Sequence, residues 1–382
     1  MGSRIKIICD DKIPFLKGVL EPFAEVQYLP PKEINHENVK SADAMLVRTR
    51  TKCNAQLLAG TNVKFIGTAT IGYDHIDTKY CEANNIKWIN APGCNSFSVM
   101  QYMASALVTL SIKKNLQPDK LTLGIVGVGN VGSKIARLGK ILGMNVLLND
   151  PPRARAEGNN NFIELNDLVS SSDIVTFHVP LIKEGIDKTF HLADEKFFDK
   201  FRSKKIIINT SRGEVIKTAA LKNAIEKNIV SGCIMDVWEN EPDIDRELLK
   251  KVDIATPHIA GYSADGKANG TAVCVRGISS FFNFGIDADW YPSSIPDPTA
   301  TREFDFKSNP NQPSACIYEA ILHTYNILDD DRTLRNSTET FEKQRGNYPV
   351  RREFPYFSIN PGSYERTVLE NLSELGFKII SK

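Results

Sequence analysis

The sequence has almost no net charge. Its 382 residues carry 47 basic and 46 acidic side chains, a formal charge of +1. Such a chain has no field to draw nucleic acid or anionic lipid from a distance, so any anion it binds must be met by a local cluster. Paired cysteines are also lacking: the seven are scattered, odd in number and never spaced as CxxC. That argues for reduced thiols and against a zinc site, so no metal is expected. Long apolar runs are missing too. The stretch "YMASALVTLSI" (102–112) falls short of the ~18–20 residues a membrane span needs. The first residues run directly into a strand-like "RIKIICD", without the apolar core of a secretory signal. In "MGSRIK" a lysine stands where a myristoylation signal requires Ser or Thr. A cytoplasmic protein with neither nucleic-acid nor membrane partners is expected. Histidine is scarce as well, six in all, and one of them lies in "TPHIAGYS" (256–263), where the backbone must turn.

What is present points to an α/β architecture. Residues 121–257 alternate short apolar runs with amphipathic stretches. "LTLGIV", "NVLLN", "DIVTF", "KIIIN", "GCIMD" and "VDIAT" are six candidate strands; "VGSKIARLGKIL" and "TAALKNAIEKN" are helical. Continuous apolar strands between helices predict a parallel sheet covered on both faces, and six in this rhythm predict a doubly wound dinucleotide fold. The first 95 residues repeat the rhythm in a shorter form, with "IKIIC", "VQYL", "AMLVR", "KFIGTA" and "KWINA", as in a flavodoxin-like domain. Long helical patterns at 96–114 and 263–284 flank the larger unit. The expected division is therefore a flavodoxin-like domain at 1–95 completed by 262–290, a Rossmann domain at 96–261, and a small α+β tail at 291–382. The tail begins with "DWYPSSIPDPTATREFDFKSNPNQP", whose prolines read as a linker or surface arm.

"GIVGVGNVGSKIA" sets Gly127, Gly129 and Gly132 in GxGxxG spacing between a strand and a helix. That context is the one the mechanism requires. The first glycine allows the tight turn, the second lets the backbone approach a pyrophosphate, and the third lets helix and strand pack closely. Asn130 and Val131 open the helix, whose free N–H groups face the phosphates. Asp150 ends the next strand, where a carboxylate accepts ribose hydroxyls and repels a 2′-phosphate. NAD is expected over NADP, although Arg153 and Arg155 in "PPRAR" are candidates for holding a 2′-phosphate.

In such sheets ligands gather at the carboxyl ends of the strands. "KIIIN" runs into "TSRGEV" and Arg212, "GCIMD" into "VWENEP" and Glu241, and "VDIAT" into "PHIAG" and His258. Alone, each has a bland explanation as a surface arginine, a solvated glutamate or a loop histidine. Together they supply what oxidation of a hydroxy acid needs. His258 can take the hydroxyl proton near neutral pH. Glu241 would fix its tautomer and favour the imidazolium, and Arg212 offers a donor fork to the carboxylate or the reacting oxygen. Asp236, closing "GCIMD", is expected beside the nicotinamide or as a cap on nearby backbone.

These segments resemble the D-isomer-specific 2-hydroxyacid dehydrogenase family over about 1–290: "GIVGVGNVG", "NTSRGEV", "DVWENEP" and "TPHIAGYS" stand in that family's order, and "LVRTRTK" and "GTATIGYDHID" resemble its substrate-domain segments. The resemblance implies an NAD-dependent dehydrogenase with Arg212, Glu241 and His258 as its triad. It implies substrate contacts at Thr49, Thr70 and Tyr262, and cofactor contacts at Asp150, Asp236 and Gly261. With Val179, Thr210 and Ser211, these complete the expected cofactor set. The tail segments "ILDDDRTLR" and "FEKQRGNYPVRREF" are similar to the dimerisation domain of one branch of the family. That branch implies a homodimer and a small phosphorylated hydroxy-acid substrate. A dianionic phosphate needs local cations, and "VRTRTK" offers Arg48, Arg50 and Lys52, which would face one way on an extended segment. Arg351 and Arg352 in the tail are a second cluster. Gln101 departs from the glutamate common in relatives. The alternatives are a 3-phosphoglycerate dehydrogenase and a non-enzymatic NAD(H)-sensing corepressor.

Overall fold

The apolar residues of each strand divide between two faces, and this sorts the molecule into layers. In a computed structural model, residues 4–158, 161–306, 312–360, 362 and 364–380 are described. They fall into two compact units, Met1–Asn95 with Ser263–Pro296, and Ser96–Tyr262 with Asp297–Lys382.

The first unit holds β1 (Lys6–Asp10), β2 (Glu25–Leu29), β3 (Ala44–Val47), β4 (Phe65–Thr68) and β5 (Lys87–Ile89). They form a parallel sheet in the order β2-β1-β3-β4-β5, which is the order of the flavodoxin-like fold expected for this segment. Ile7, Cys9, Leu46 and Phe65 point to one face, where Cys274, Val275 and Ile278 of the helix Ala264–Phe282 cover them. Ile8, Met45, Val47 and Ile66 point to the other, under Leu57, Leu58 and Cys81. The covering helix is fastened by polar contacts as well: Thr271 donates to the Pro14 carbonyl at 2.8 Å and Asn269 to that of Cys94 at 2.8 Å.

The second unit holds β6 (Thr122–Val126), β7 (Asn145–Asn149), β8 (Ile174–Phe177), β9 (Lys205–Asn209), β10 (Val230–Met235) and β11 (Ile254–Ala255). All pair in parallel, in the order β11-β10-β9-β8-β6-β7. The direction of winding reverses between β6 and β8, which makes the loops after these two strands the switch point where such sheets bind ligands. One face, with Leu123, Ile125, Ile206, Ile208 and Ile234, packs on the long helix Ser96–Lys114 and the helix Asn130–Ile141. The other, with Val175, Phe177, Ile207 and Met235, packs on the helices Leu165–Ser171, Thr218–Glu226 and Arg246–Lys251.

The tail builds its own parallel sheet from β12 (Glu303–Phe304), β13 (Ser358–Ile359) and β14 (Lys378–Ile379). Its Phe306, Ile321, Tyr325, Phe357 and Leu372 nevertheless join the same apolar core as the Ser96–Lys114 helix. Polar side chains on that helix reach into the tail: Ser98 donates to Glu353 at 2.8 Å, Gln101 to the Arg352 carbonyl at 2.9 Å, and Ser105 to that of Tyr325 at 2.9 Å. The tail also closes the sheet edge, the position most open to stray pairing. Asp331 accepts the Ala255 N–H of β11 at 2.7 Å, and Arg335 donates to the carbonyls of Leu249 and Val252.

Candidate active site

Three loops leave the carboxyl ends of β9, β10 and β11, and each is shaped by a polar residue at the strand end. Asn209 ends β9. Its Oδ1 accepts from the N–H and hydroxyl of Ser211, and its Nδ2 donates to the Arg212 carbonyl at 2.9 Å. This folds the loop so that Gly213 lies directly on the backbone of Trp238. A Cβ there would overlap the Trp238 carbonyl, so only glycine permits the contact. Arg212 itself donates to the Ser211 carbonyl at 2.8 Å.

Asp236 follows β10 and is buried. Its Oδ1 accepts from the Thr256 hydroxyl at 2.6 Å and the Ile259 N–H at 2.8 Å, and its Oδ2 from the Ala260 N–H at 3.0 Å. The Asp236 carbonyl accepts the His258 N–H at 2.7 Å. One aspartate therefore holds the turn after β11. Burial pushes its pKa up, against the pull of His258 and these donors. The turn needs holding, because His258 sits at φ +56°, in the left-handed region that costs a non-glycine residue energy.

His258 and Glu241 meet: Nδ1 lies 2.7 Å from Oε2. The other carboxylate oxygen accepts the Trp238 N–H at 2.9 Å. Burial alone would raise the pKa of Glu241, but the His258 charge and these hydrogen bonds outweigh it, and the net shift is downward. An ionised carboxylate only accepts, so Nδ1 holds a proton, and in the neutral ring Nε2 is the nitrogen with the lone pair. Such a site can take a proton and give it back.

The glycine loop at the switch point fits a dinucleotide. Gly127 has φ +87°, and a Cβ on it would press within 2.7 Å of the His178 carbonyl and the Val179 side chain. One on Gly132 would collide with the Gly127 carbonyl, whereas one on exposed Gly129 would meet nothing within 4 Å. Asn130 and Val131 begin the helix beyond it. Asp150 accepts the Val128 N–H at 2.8 Å and the Arg153 N–H at 3.1 Å, which ties the end of β7 to this loop. The two arginines considered for a 2′-phosphate are already paired: Arg153 with Glu157 at 2.6 Å, and Arg155 with Asp187 at 2.6 Å.

Arg48, Thr49 and Thr70 lie in the first unit, after the adjacent strands β3 and β4. Thr70 shares a 2.7 Å hydrogen bond with Thr68 and donates to the Gly72 carbonyl. Arg48 donates to the Lys12 carbonyl at 3.3 Å. The segment after Val47 is a turn, closed by the Thr51 N–H on the Arg48 carbonyl at 3.2 Å. Alternation along an extended strand therefore does not align Arg48, Arg50 and Lys52. Tyr262 belongs to the second unit, edge-on to Tyr348.

Several residues escape a reading of the sequence alone. His178, after β8, is held by Thr176 at 3.0 Å and Thr210 at 3.1 Å, and burial pushes its pKa down. The strand-end rule that selected His258 applies to it equally. Tyr102, fully buried on the Ser96–Lys114 helix, hydrogen-bonds Thr256 at 2.8 Å; nothing local in "QYMAS" announces this.

Residues 107–260 match the model of the D-isomer specific 2-hydroxyacid dehydrogenase NAD-binding domain, and residues 296–376 match that of a domain of unknown function. The chain is 51% identical to an erythronate-4-phosphate dehydrogenase of Bacteroides thetaiotaomicron, over 93% of this chain and 99% of that one. It is 42% identical to one of Porphyromonas gingivalis, over 93% and 95%. Among solved structures it resembles the D-lactate dehydrogenase of Aquifex aeolicus complexed with NAD and lactic acid. That match has a TM-score of 0.62 and 26% identity, and covers 73% of this chain and 95% of the other.

Proposed function

Because this chain belongs to the erythronate-4-phosphate dehydrogenases, within the D-isomer-specific 2-hydroxyacid dehydrogenase family, we propose that it oxidises 4-phospho-D-erythronate to (R)-3-hydroxy-2-oxo-4-phosphooxybutanoate. The reaction serves vitamin B6 synthesis. NAD, when bound, accepts the hydride lost from C2. Gly127, Gly129, Asn130, Val131 and Gly132 cradle its pyrophosphate, Asp150 takes the adenosine ribose, and Val179, Thr210, Ser211, Asp236 and Gly261 line the rest of its site. His258 removes the C2 hydroxyl proton through Nε2, Glu241 stabilises the imidazolium that results, and Arg212 binds the substrate carboxylate and orients C2. Arg48, Thr49, Thr70 and Tyr262 hold the remainder of the substrate. The tail makes the protein a homodimer, and the protein works in the cytoplasm.

The observation that carries this reading is the 2.7 Å His258–Glu241 pair, set on a turn that Asp236 fixes. The test is a panel of D-2-hydroxy acids with and without a 4-phosphate, followed by nicotinamide absorbance. Phosphoerythronate is expected to have the highest kcat/KM and NAD to be preferred over NADP. A higher kcat/KM for 3-phosphoglycerate, or no reduction with any member, overturns the assignment.

A further inference from the structure

Asp236 grips the turn after β11 by its N–H groups. The carbonyls of the same turn are gripped from the opposite side, by the tail. Arg351 is buried, 4% exposed, and its Nη2 donates to the Ala260 carbonyl at 2.6 Å and the Ile259 carbonyl at 3.2 Å. Its Nε and Nη1 have no hydrogen-bond partner among the described residues. The charge is instead met by aromatic faces. The guanidinium lies over the Tyr325 ring, 4.5 Å from its centroid, and 5.7 Å from that of Tyr348. Both tyrosines donate to Asp330 at 2.7 Å, which sets a carboxylate behind the cage.

A guanidinium is costly to bury without full pairing, and a surface hydrogen bond would not require it. The same tail offers exposed positions for basic residues, yet this one is spent on two backbone carbonyls. Those carbonyls belong to residues 259 and 260, whose N–H groups Asp236 binds. An anion thus holds the donors of the turn and a cation holds its acceptors. Between them and the strand stands His258, at φ +56°. The turn could relax toward an ordinary backbone conformation only by breaking one grip or the other.

We propose that Arg351 is a positioning residue for the reaction: through the carbonyls of Ile259 and Ala260 it locks the turn that aims His258. This rests on the reading of His258 as the acid/base group. It gives the tail a part in catalysis within its own chain, separate from any part in dimerisation. It also removes Arg351 from the residues available to the substrate phosphate.

The test uses the full chain and two variants. Arg351→Lys keeps the charge, but its ammonium ends one bond short of Nη2, the nitrogen that meets both carbonyls, and lacks the flat face that lies over Tyr325; Arg351→Ala leaves a hole that guanidinium can enter. Both are expected to lose turnover by about tenfold to a hundredfold, the scale of a misplaced catalytic group, while KM for substrate and Kd for NAD stay within about twofold. In both, amide exchange at Ile259 and Ala260 should be about tenfold or more faster than in the wild type. Added guanidinium should restore turnover to Arg351→Ala and not to Arg351→Lys. Wild-type turnover in folded Arg351→Lys and Arg351→Ala overturns the proposal. So does lost turnover with unchanged exchange at 259–260. Exchange is read without substrate, so it tests the clamp even if His258 proves not to be the base. If neither variant folds, wild-type exchange decides. The amides of 259–260 must open together with those of Tyr356 and Phe357, which are hydrogen-bonded just beyond Arg351; independent opening at lower denaturant refutes the clamp.

Discussion

Two histidine–glutamate pairs form around the same short stretch of chain. His258 meets Glu241 at 2.7 Å, and His191 meets Glu239, two residues earlier, also at 2.7 Å. The match goes further. Both histidines have a positive φ, +56° and +52°, and both rings are 29% exposed. Distance, burial and backbone strain therefore do not distinguish a candidate acid/base from its neighbour. What differs is which nitrogen is used and what the second carboxylate oxygen does. His258 gives Nδ1 to Glu241, which leaves the outer nitrogen, Nε2. His191 gives its outer nitrogen to Glu239, which leaves Nδ1, next to its own backbone. The second oxygen of Glu239 accepts the Thr218 N–H at 2.7 Å, capping the helix Thr218–Glu226. One pair carries the chemistry proposed above, and the other fastens a loop to a helix.

The comparison breaks most sharply on the histidines. His258→Ala should cost roughly 10²–10⁴ in turnover, the usual loss of general acid–base help, with NAD binding kept. His191→Ala should leave turnover within about threefold and lower the melting temperature instead, as loss of a loop anchor does. Equal kinetic losses in steady-state assays would refute the distinction. Next come the glutamates. Glu241→Gln removes the counter-charge of the imidazolium, so the acid limb of kcat/KM should move to lower pH and turnover should fall by about tenfold. An unmoved limb would mean that Glu241 does not act on His258. The smallest effect is Glu239→Gln, about 1–2 kcal/mol of stability, from a weakened charge-assisted bond at a helix start. Here the sign with pH is fixed. Burial would raise the pKa of Glu239, but Thr218 and His191 outweigh it and hold it below its ordinary 4.5. A lowered carboxylate pKa contributes stability that is fully present above the unfolded value and lost as pH falls through the folded one. The gap between wild type and variant in denaturant titrations should therefore be open above pH 4.5 and close below it.

The same comparison shows what a sequence can and cannot reveal here. The strands were legible because "IKIIC", "AMLVR", "KIIIN" and "GCIMD" are apolar on both faces, and that pattern has few explanations besides a covered parallel sheet. Gly127, Gly129 and Gly132 were legible because their spacing follows from the shape of a phosphate-binding turn. His258 and Glu241 were found by their places at strand ends. The clamp on His258 was not legible. Tyr102, Asp236, Thr256 and Arg351 converge on it from four places in the chain, and no local pattern encodes a convergence. His191 and Glu239, 48 residues apart, are hidden for the same reason. Arg48, Arg50 and Lys52 do not alternate along one strand, because the chain turns at Arg48–Thr51.

The chain passes from the first unit to the second at Asn95 and returns at Ser263. On the ribosome this separation in sequence becomes a separation in time. Strand β5 ends at Ile89, and the helix that covers Ile7, Cys9, Leu46 and Phe65 begins at Ala264, 175 residues later. At common synthesis rates that interval lasts roughly 10–35 s. For all of it one face of the nascent small sheet lacks its cover, while the larger sheet is made through its last strand. The small sheet, first to be translated, is thus the later of the two to be complete.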